Sequence, residues 1–181
     1  YFTQLTQYEQ KRLALSREIG NRLAEGNALN NCGQIQALYL GDYDGGLELV
    51  KQALNIWKHL NVRLYPLLRI AQIQTAKSNF DEAVKTLEIA RPLSRNDFRD
   101  VGRAGLGLVE AIINWHIGDR EHLQDALHIL ANIQQMVADH LISEQYKMTA
   151  AYVASNAHLK LAILLGELDT ENNITENVQQ S

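Results

Sequence analysis

The chain has little of what staples, kinks or anchors a protein. Of its 181 residues, one is cysteine and two are proline. A lone Cys32 rules out an intrachain disulfide, which suits a reducing cytoplasm. Scarce proline leaves long stretches free to run as helix, because proline removes a backbone donor and clashes with the preceding turn. No run of about 18 apolar residues appears, so no segment has the length to span a bilayer. Basic charge is also short: Lys and Arg total 17 against 21 Asp and Glu, a net charge of −4. Lys11-Arg12, Arg63, Arg69 and Arg103 are scattered, with no stripe to neutralise phosphates. That argues against nucleic acid and against an anionic membrane surface as partners. The first residues, Tyr1-Phe2, carry neither Met nor the basic, apolar and small regions of a signal peptide, and the expectation is a piece cut from a longer protein.

What is present is helical and repeated. The chain is 46% hydrophobic and 21% charged, as in folded helix-rich proteins, and no Val/Ile/Thr alternation with hairpin turns occurs. Leu29-Asn30-Asn31-Cys32-Gly33-Gln34-Ile35-Gln36-Ala37 matches Leu67-Leu68-Arg69-Ile70-Ala71-Gln72-Ile73-Gln74-Thr75 in pattern and in identity. Each copy leads to a small-polar-aromatic turn, Gly41-Asp42-Tyr43 or Ser78-Asn79-Phe80, and then to a second apolar helix ending in Ala53 or Ala90. The first halves lie about 38 residues apart and the turns about 37. A two-helix repeat of that length predicts a solenoid.

The expected organisation is all-α, antiparallel helix hairpins in one domain over residues 1–168. An incomplete repeat occupies about 1–20, with Tyr8, Leu13, Leu15 and Ile19 as its apolar stripe. Repeats follow over about 21–60, 61–96 and 97–138, then a terminal helix over about 143–166 and a polar, frayed tail over 169–181. The first full repeat opens with one helix from about Leu23 to Leu40. Asp42 is a fair N-cap for the next, and Asn96 for the fourth unit. Pro92 stops or bends the helix before it. Gly46 reads as a close-packing residue rather than part of a phosphate loop, and Ala83 holds its place in the next copy. In the fourth unit the second helix is expected to start late, near His122.

The small-residue ladder and the turns resemble the tetratricopeptide repeat. Its positions are Gly33 and Ala71 in the first helices, Gly46 and Ala83 in the second, and Ala53 and Ala90 near the ends, beside Gly41-Asp42-Tyr43 and Ser78-Asn79-Phe80-Asp81-Glu82-Ala83. Helices that cross closely need side chains no larger than Ala at the crossing. Ile19-Gly20-Asn21-Arg22 and Asn31-Cys32-Gly33 are similar to the longer repeats of kinesin light chains, spindle-orientation adaptors and the sensor arms of bacterial signalling ATPases and transcription activators. The resemblance covers roughly Leu5 to Met136. Cys32 in place of Leu, and Gln36 and Gln74 in place of an aromatic, depart from the pattern.

The resemblance implies an α-α superhelix whose first helices line a concave groove for protein or peptide ligands. The matching positions are Arg22 and Asn31, then Arg69 at the Asn31 position of the next unit, with Arg63 at the start of its helix and Gln34 and Gln72 one step on. Arg offers a fork of donors, and an amide offers one donor and one acceptor arm for peptide backbone. An acidic or C-terminal carboxylate segment is the natural ligand for such a set. The alternative is a sensor or regulatory arm that binds an inducer or other domains of its parent protein. Tyr39, Tyr65 and Trp115 read as inter-repeat core before groove anchors.

Catalytic and metal chemistry finds no foothold. His116, His122 and His128 recur every six residues, which turns each by about 240° around a helix, whereas metal pairs want i, i+3 or i, i+4. Cys32 reads as a small buried hydrophobe. No Gly-x-Ser-x-Gly elbow occurs, Gly102-x-x-Gly105-x-Gly107 lacks a preceding strand, and Asn173-Ile174-Thr175 is a sequon only in form. The expectation is a binding module without a cofactor, a metal or an activity of its own.

Overall fold

A computed structural model describes residues 2–58, 62–95, 99–139 and 144–165. Among them the chain is helical with no strand: α1 (Phe2–Glu18), α2 (Arg22–Gln34), a π-helical turn (Ile35–Tyr39), α3 (Tyr43–Trp57), α4 (Leu64–Ala76), α5 (Phe80–Ala90), a 3-10 turn (Leu93–Arg95), α6 (Arg99–Ile117), α7 (Arg120–Ala138) and α8 (Glu144–Leu164). No described helix is long and apolar enough to cross a membrane. The tail over 169–181 and the Asn96 cap lie outside the described residues.

Three turns share one device. Gly20, Gly41 and Gly118 follow α1, the π turn and α6 with φ of 68°, 79° and 78°, a left-handed bend that glycine adopts without a Cβ penalty. Ser78 takes the same bend after α4 at φ 61°. The next helix is then capped from its first turn. Asn21 accepts from Ala24 N at 3.0 Å, Asp42 from Gly45 N at 2.9 Å and Asp119 from His122 N at 2.9 Å. The Asp119 cap corrects one expectation: α7 starts at Arg120, without a late start at His122.

The expected single helix from Leu23 to Leu40 also gives way. Its last turn is π, with Leu40 N bonded to Ile35 O at 3.1 Å, and Asp42 N reaches back to Gln36 O at 3.0 Å. The equivalent turn of the second copy closes one residue shorter, with Asn79 N on Gln74 O at 2.9 Å. A π turn accommodates a single inserted residue. That insertion is why the copies are offset by 38 residues before the turn and 37 after it.

The described residues divide into two compact units, 1–109 and 110–181, with the boundary inside α6. In the first unit α1 packs on α2, α2 on α3, α3 on α4 and α4 on α5. A buried knot of Ala37, Val50, Ile70 and Ile73 joins the two hairpins, with Leu38, Tyr43, Leu47 and Leu54 packed against it. Gly33 meets Gly46 and Val50 so closely that no side chain fits between, which bears out the packing role of Gly46. Trp57, almost fully buried, lies over Gly26. Ala71, Ala83, Ala53 and Ala90 have no exposed surface. In the second unit α7 packs on α8 through Leu123, Ala126, Leu130, Ile133, Val137, Ala150, Val153 and Ala157.

Two expectations about burial are overturned. The stripe expected on α1 faces solvent: Tyr8, Leu15 and Ile19 are 63%, 56% and 63% exposed, while Glu9 and Ser16 are buried. The reason is a polar seam between α1 and α2. Glu9 accepts from Asn31 Nδ2 of α2 at 3.0 Å and from Arg12 Nη1 at 3.1 Å, and Glu25 of α2 accepts from Arg17 Nε of α1 at 3.1 Å and from Arg22 Nη1 at 2.6 Å. Tyr39 and Tyr65, expected in the core, are 49% and 41% exposed.

Candidate functional site

The polar positions singled out by the repeat pattern separate into two groups. Arg22 and Asn31 are spent on the α1 seam, through Glu25 and Glu9 respectively. Nearby, Cys32 is free and buried, and burial together with the Glu9 carboxylate pushes its thiol pKa up, which keeps it protonated and unreactive. Arg63 is exposed at the N-cap of α4, and Gln34 is half-buried on α2.

Arg69 and Gln72 form the second group. One turn apart on α4, they are joined by a 2.6 Å bond from Arg69 Nη1 to Gln72 Oε1. The equivalence of Arg69 with Asn31 makes the contrast informative. Asn31 meets the buried Glu9, 22 residues earlier in the chain. The residue 22 positions before Arg69 is Leu47, an apolar side chain packed on the hairpin core. Arg69 therefore has no carboxylate among the described residues. Its Nε is shut away from water with no hydrogen-bond partner, and burial draws its pKa down to about 10. The guanidinium stays charged at neutral pH, and a buried donor left unmatched costs about 1–3 kcal/mol.

What surrounds Arg69 is aromatic and amide in character. The Tyr39 phenol, at the end of the π turn, is the titratable group that acts on Arg69 electrostatically, and it favours the charged guanidinium. Tyr65 precedes Arg69 by one turn of α4, so the two share a helix face. Gln36 and Gln74, where an aromatic was expected, tie each hairpin together. Gln36 Nε2 donates to the turn carboxylate of Asp42 at 2.6 Å, and Gln74 Oε1 accepts from Thr86 Oγ1 of α5 at 2.8 Å. Sequence reasoning missed Tyr39 as a neighbour of Arg69. Its one signal was the single-residue offset between copies, which marks the π turn that carries the ring.

The second unit holds a separate aromatic cluster. Lys160 Nζ of α8 donates to Trp115 O at 2.9 Å and lies 5.3 Å from the Trp115 ring centroid, while Tyr152 meets that ring edge-on at 6.5 Å. The lysine thus caps the last carbonyls of α6, where a cation opposes the helix dipole favourably. Trp115 is half-buried, with an indole N–H that has no partner. Among the described residues no group of three or more His, Cys, Asp or Glu side chains could hold a metal ion.

Compared with protein-family models and with curated proteins, the chain matches none.

Proposed function

We propose that the chain is a tetratricopeptide-type α-solenoid that binds a protein or peptide segment along the first helices of its hairpins. One observation carries the reading. The positions that build the two copies, Gly33 with Gly46 and Ala71 with Ala83, are packed shut. Their polar neighbours Asn31 and Arg69 are half-buried and differ between copies. A fold that holds its crossings constant and varies the adjoining polar residue uses the first for shape and the second for selectivity. Exposed Tyr39 and Tyr65 supply rigid contact area at low entropic cost, the kind of surface that dominates peptide recognition.

The test is selection of peptides from a displayed random library against the intact chain, followed by fluorescence anisotropy of those recovered. Peptides that bind the native chain and lose affinity at least about tenfold for the Arg69→Glu, Asn31→Ala double variant support the reading. Recovered peptides that bind the variant equally well place recognition elsewhere on the chain. Failure to recover any saturable binder overturns the module assignment.

A further inference from the structure

Arg69 has the character of half an ion pair. Its guanidinium is fixed at one nitrogen by Gln72, electrostatically favoured by Tyr39, and deprived of the acid that its repeat equivalent enjoys. A guanidinium offers five donors in a planar fork, and the edge made by Nε and one Nη matches the two oxygens of a carboxylate or phosphate. On Arg69 that edge includes the orphaned Nε. Carrying a cation into a half-buried site without a counter-charge opposes folding, and an arriving anion relieves that cost. The polar seam of α1 and α2 shows the satisfied version within the same unit, where each buried carboxylate takes donors from two side chains.

We propose that Arg69, Gln72 and the Tyr39 hydroxyl form an oxyanion receptor that seats one carboxylate or phosphoryl group of the bound segment. This rests on the peptide-binding reading for its ligand, but not for its chemistry. The anion lies side-on against the Nε–Nη edge, and the surface ring of Tyr39 moves to admit it and donates its O–H. Gln72 holds the guanidinium plane in place and contributes no charge. Arg22 makes the useful contrast: it too lies on a first helix, but Glu25 already neutralises it.

Arginine side-chain NMR of the 15N-labelled chain tests the receptor directly. The Arg69 Nε–H resonance is assigned by its loss in Arg69→Lys. Acetate, inorganic phosphate and chloride are then titrated at constant ionic strength. A saturable downfield shift of that one resonance with acetate or phosphate, absent with chloride, is the expected result. Arginine resonances that move together without saturation, or an Arg69 resonance that does not move, overturn the receptor. Three acetylated peptides separate the sources of the anion: one with an internal glutamate and an amidated end, one neutral with a free C-terminal carboxylate, and one bearing phosphoserine. The preferred peptide is expected to bind at least about tenfold more weakly to Arg69→Gln, with Arg69→Lys in between because it keeps charge but loses the fork. Circular dichroism checks that both variants fold, and the wild-type titration stands if either does not. Acetate or phosphate saturation without binding of any library peptide retains the receptor and removes the peptide-binding reading. Library peptides that bind Arg69→Gln as well as wild type retain that reading and remove the receptor.

Discussion

A β-carbon on Gly33 would stand 2.6 Å from the carbonyl oxygen of Gly46, and one on Gly46 would stand 2.5 Å from the carbonyl oxygen of Gly33. Each glycine therefore exists for the other, and α2 and α3 approach to backbone contact. Either Gly33→Ala or Gly46→Ala is expected to push the helices apart and cost about 1–3 kcal/mol, despite the gain in helix propensity. Urea unfolding followed by Trp57 fluorescence reads this hairpin, with Trp115 replaced by Phe in every variant. Unchanged midpoints would show that the crossing tolerates a methyl group, as the Ala71 and Ala83 crossing already does.

Ser78 is the odd member of the turn series. It holds a left-handed bend at φ 61° that glycine holds at Gly20, Gly41 and Gly118. An L-residue there carries a steric cost of about 1–2 kcal/mol, from Cβ crowding the following carbonyl oxygen. Ser78→Gly is expected to recover about 1 kcal/mol, less than the full amount because glycine is freer in the unfolded chain. Thermal unfolding of the variant should shift upward, and a downward shift would show that the serine supplies a compensating interaction.

The features that could be read from the sequence are those in which neighbours along the chain decide the outcome. Asp42 and Gly41 identify their turn locally, and the ladder of Gly33, Gly46, Ala71 and Ala83 marks crossings because only small residues fit there. The single-residue offset between copies was visible as arithmetic. Its meaning was not, because nothing local distinguishes an insertion absorbed by a loop from one absorbed by a π turn. The orientation of α1 was misjudged because periodicity assigns apolar residues to the interior by default. Here Glu9 finds Asn31 from 22 residues away, and a polar contact at that range leaves no pattern in sequence. The isolation of Arg69 was hidden for the same reason, since it depends on Leu47 standing where a carboxylate would have been needed.

The seam between α1 and α2 should be strong at its two acids and weak elsewhere. Glu9 and Glu25 keep only 7% and 9% of their side-chain surface, whereas Arg12 and Arg22 keep 34% and 66%. Removing an acid strands the amide or guanidinium that it satisfied, while the arginines can turn to water. Glu9→Ala and Glu25→Ala are each expected to cost about 1–3 kcal/mol, and Arg22→Ala less than about 1 kcal/mol. Hydrogen exchange of α1 amides gives the clearest measurement: protection should fall in both glutamate variants and hold in Arg22→Ala. Equal losses in all three would mean that α1 is held by its apolar contacts.

His116 gives the second unit a pH dependence of known sign. Burial, and then the Lys160 ammonium, lower its pKa below the ordinary value near 6.5. Lys160 comes from α8, and the Trp115 ring centroid lies 4.6 Å from that of His116. Between the folded and unfolded pKa values the unfolded chain binds more protons, so stability rises with pH through that interval. In the acid direction, stability falls as pH drops through 6.5 toward the folded value and levels off below it. The melting temperature of the native chain is therefore expected to drop more between about pH 7.5 and pH 5 than that of His116→Asn. Lys160→Met should narrow the difference by removing the repelling charge, although it also uncaps α6. Parallel melting curves for the native chain and His116→Asn would show that the histidine is not held neutral by its neighbours.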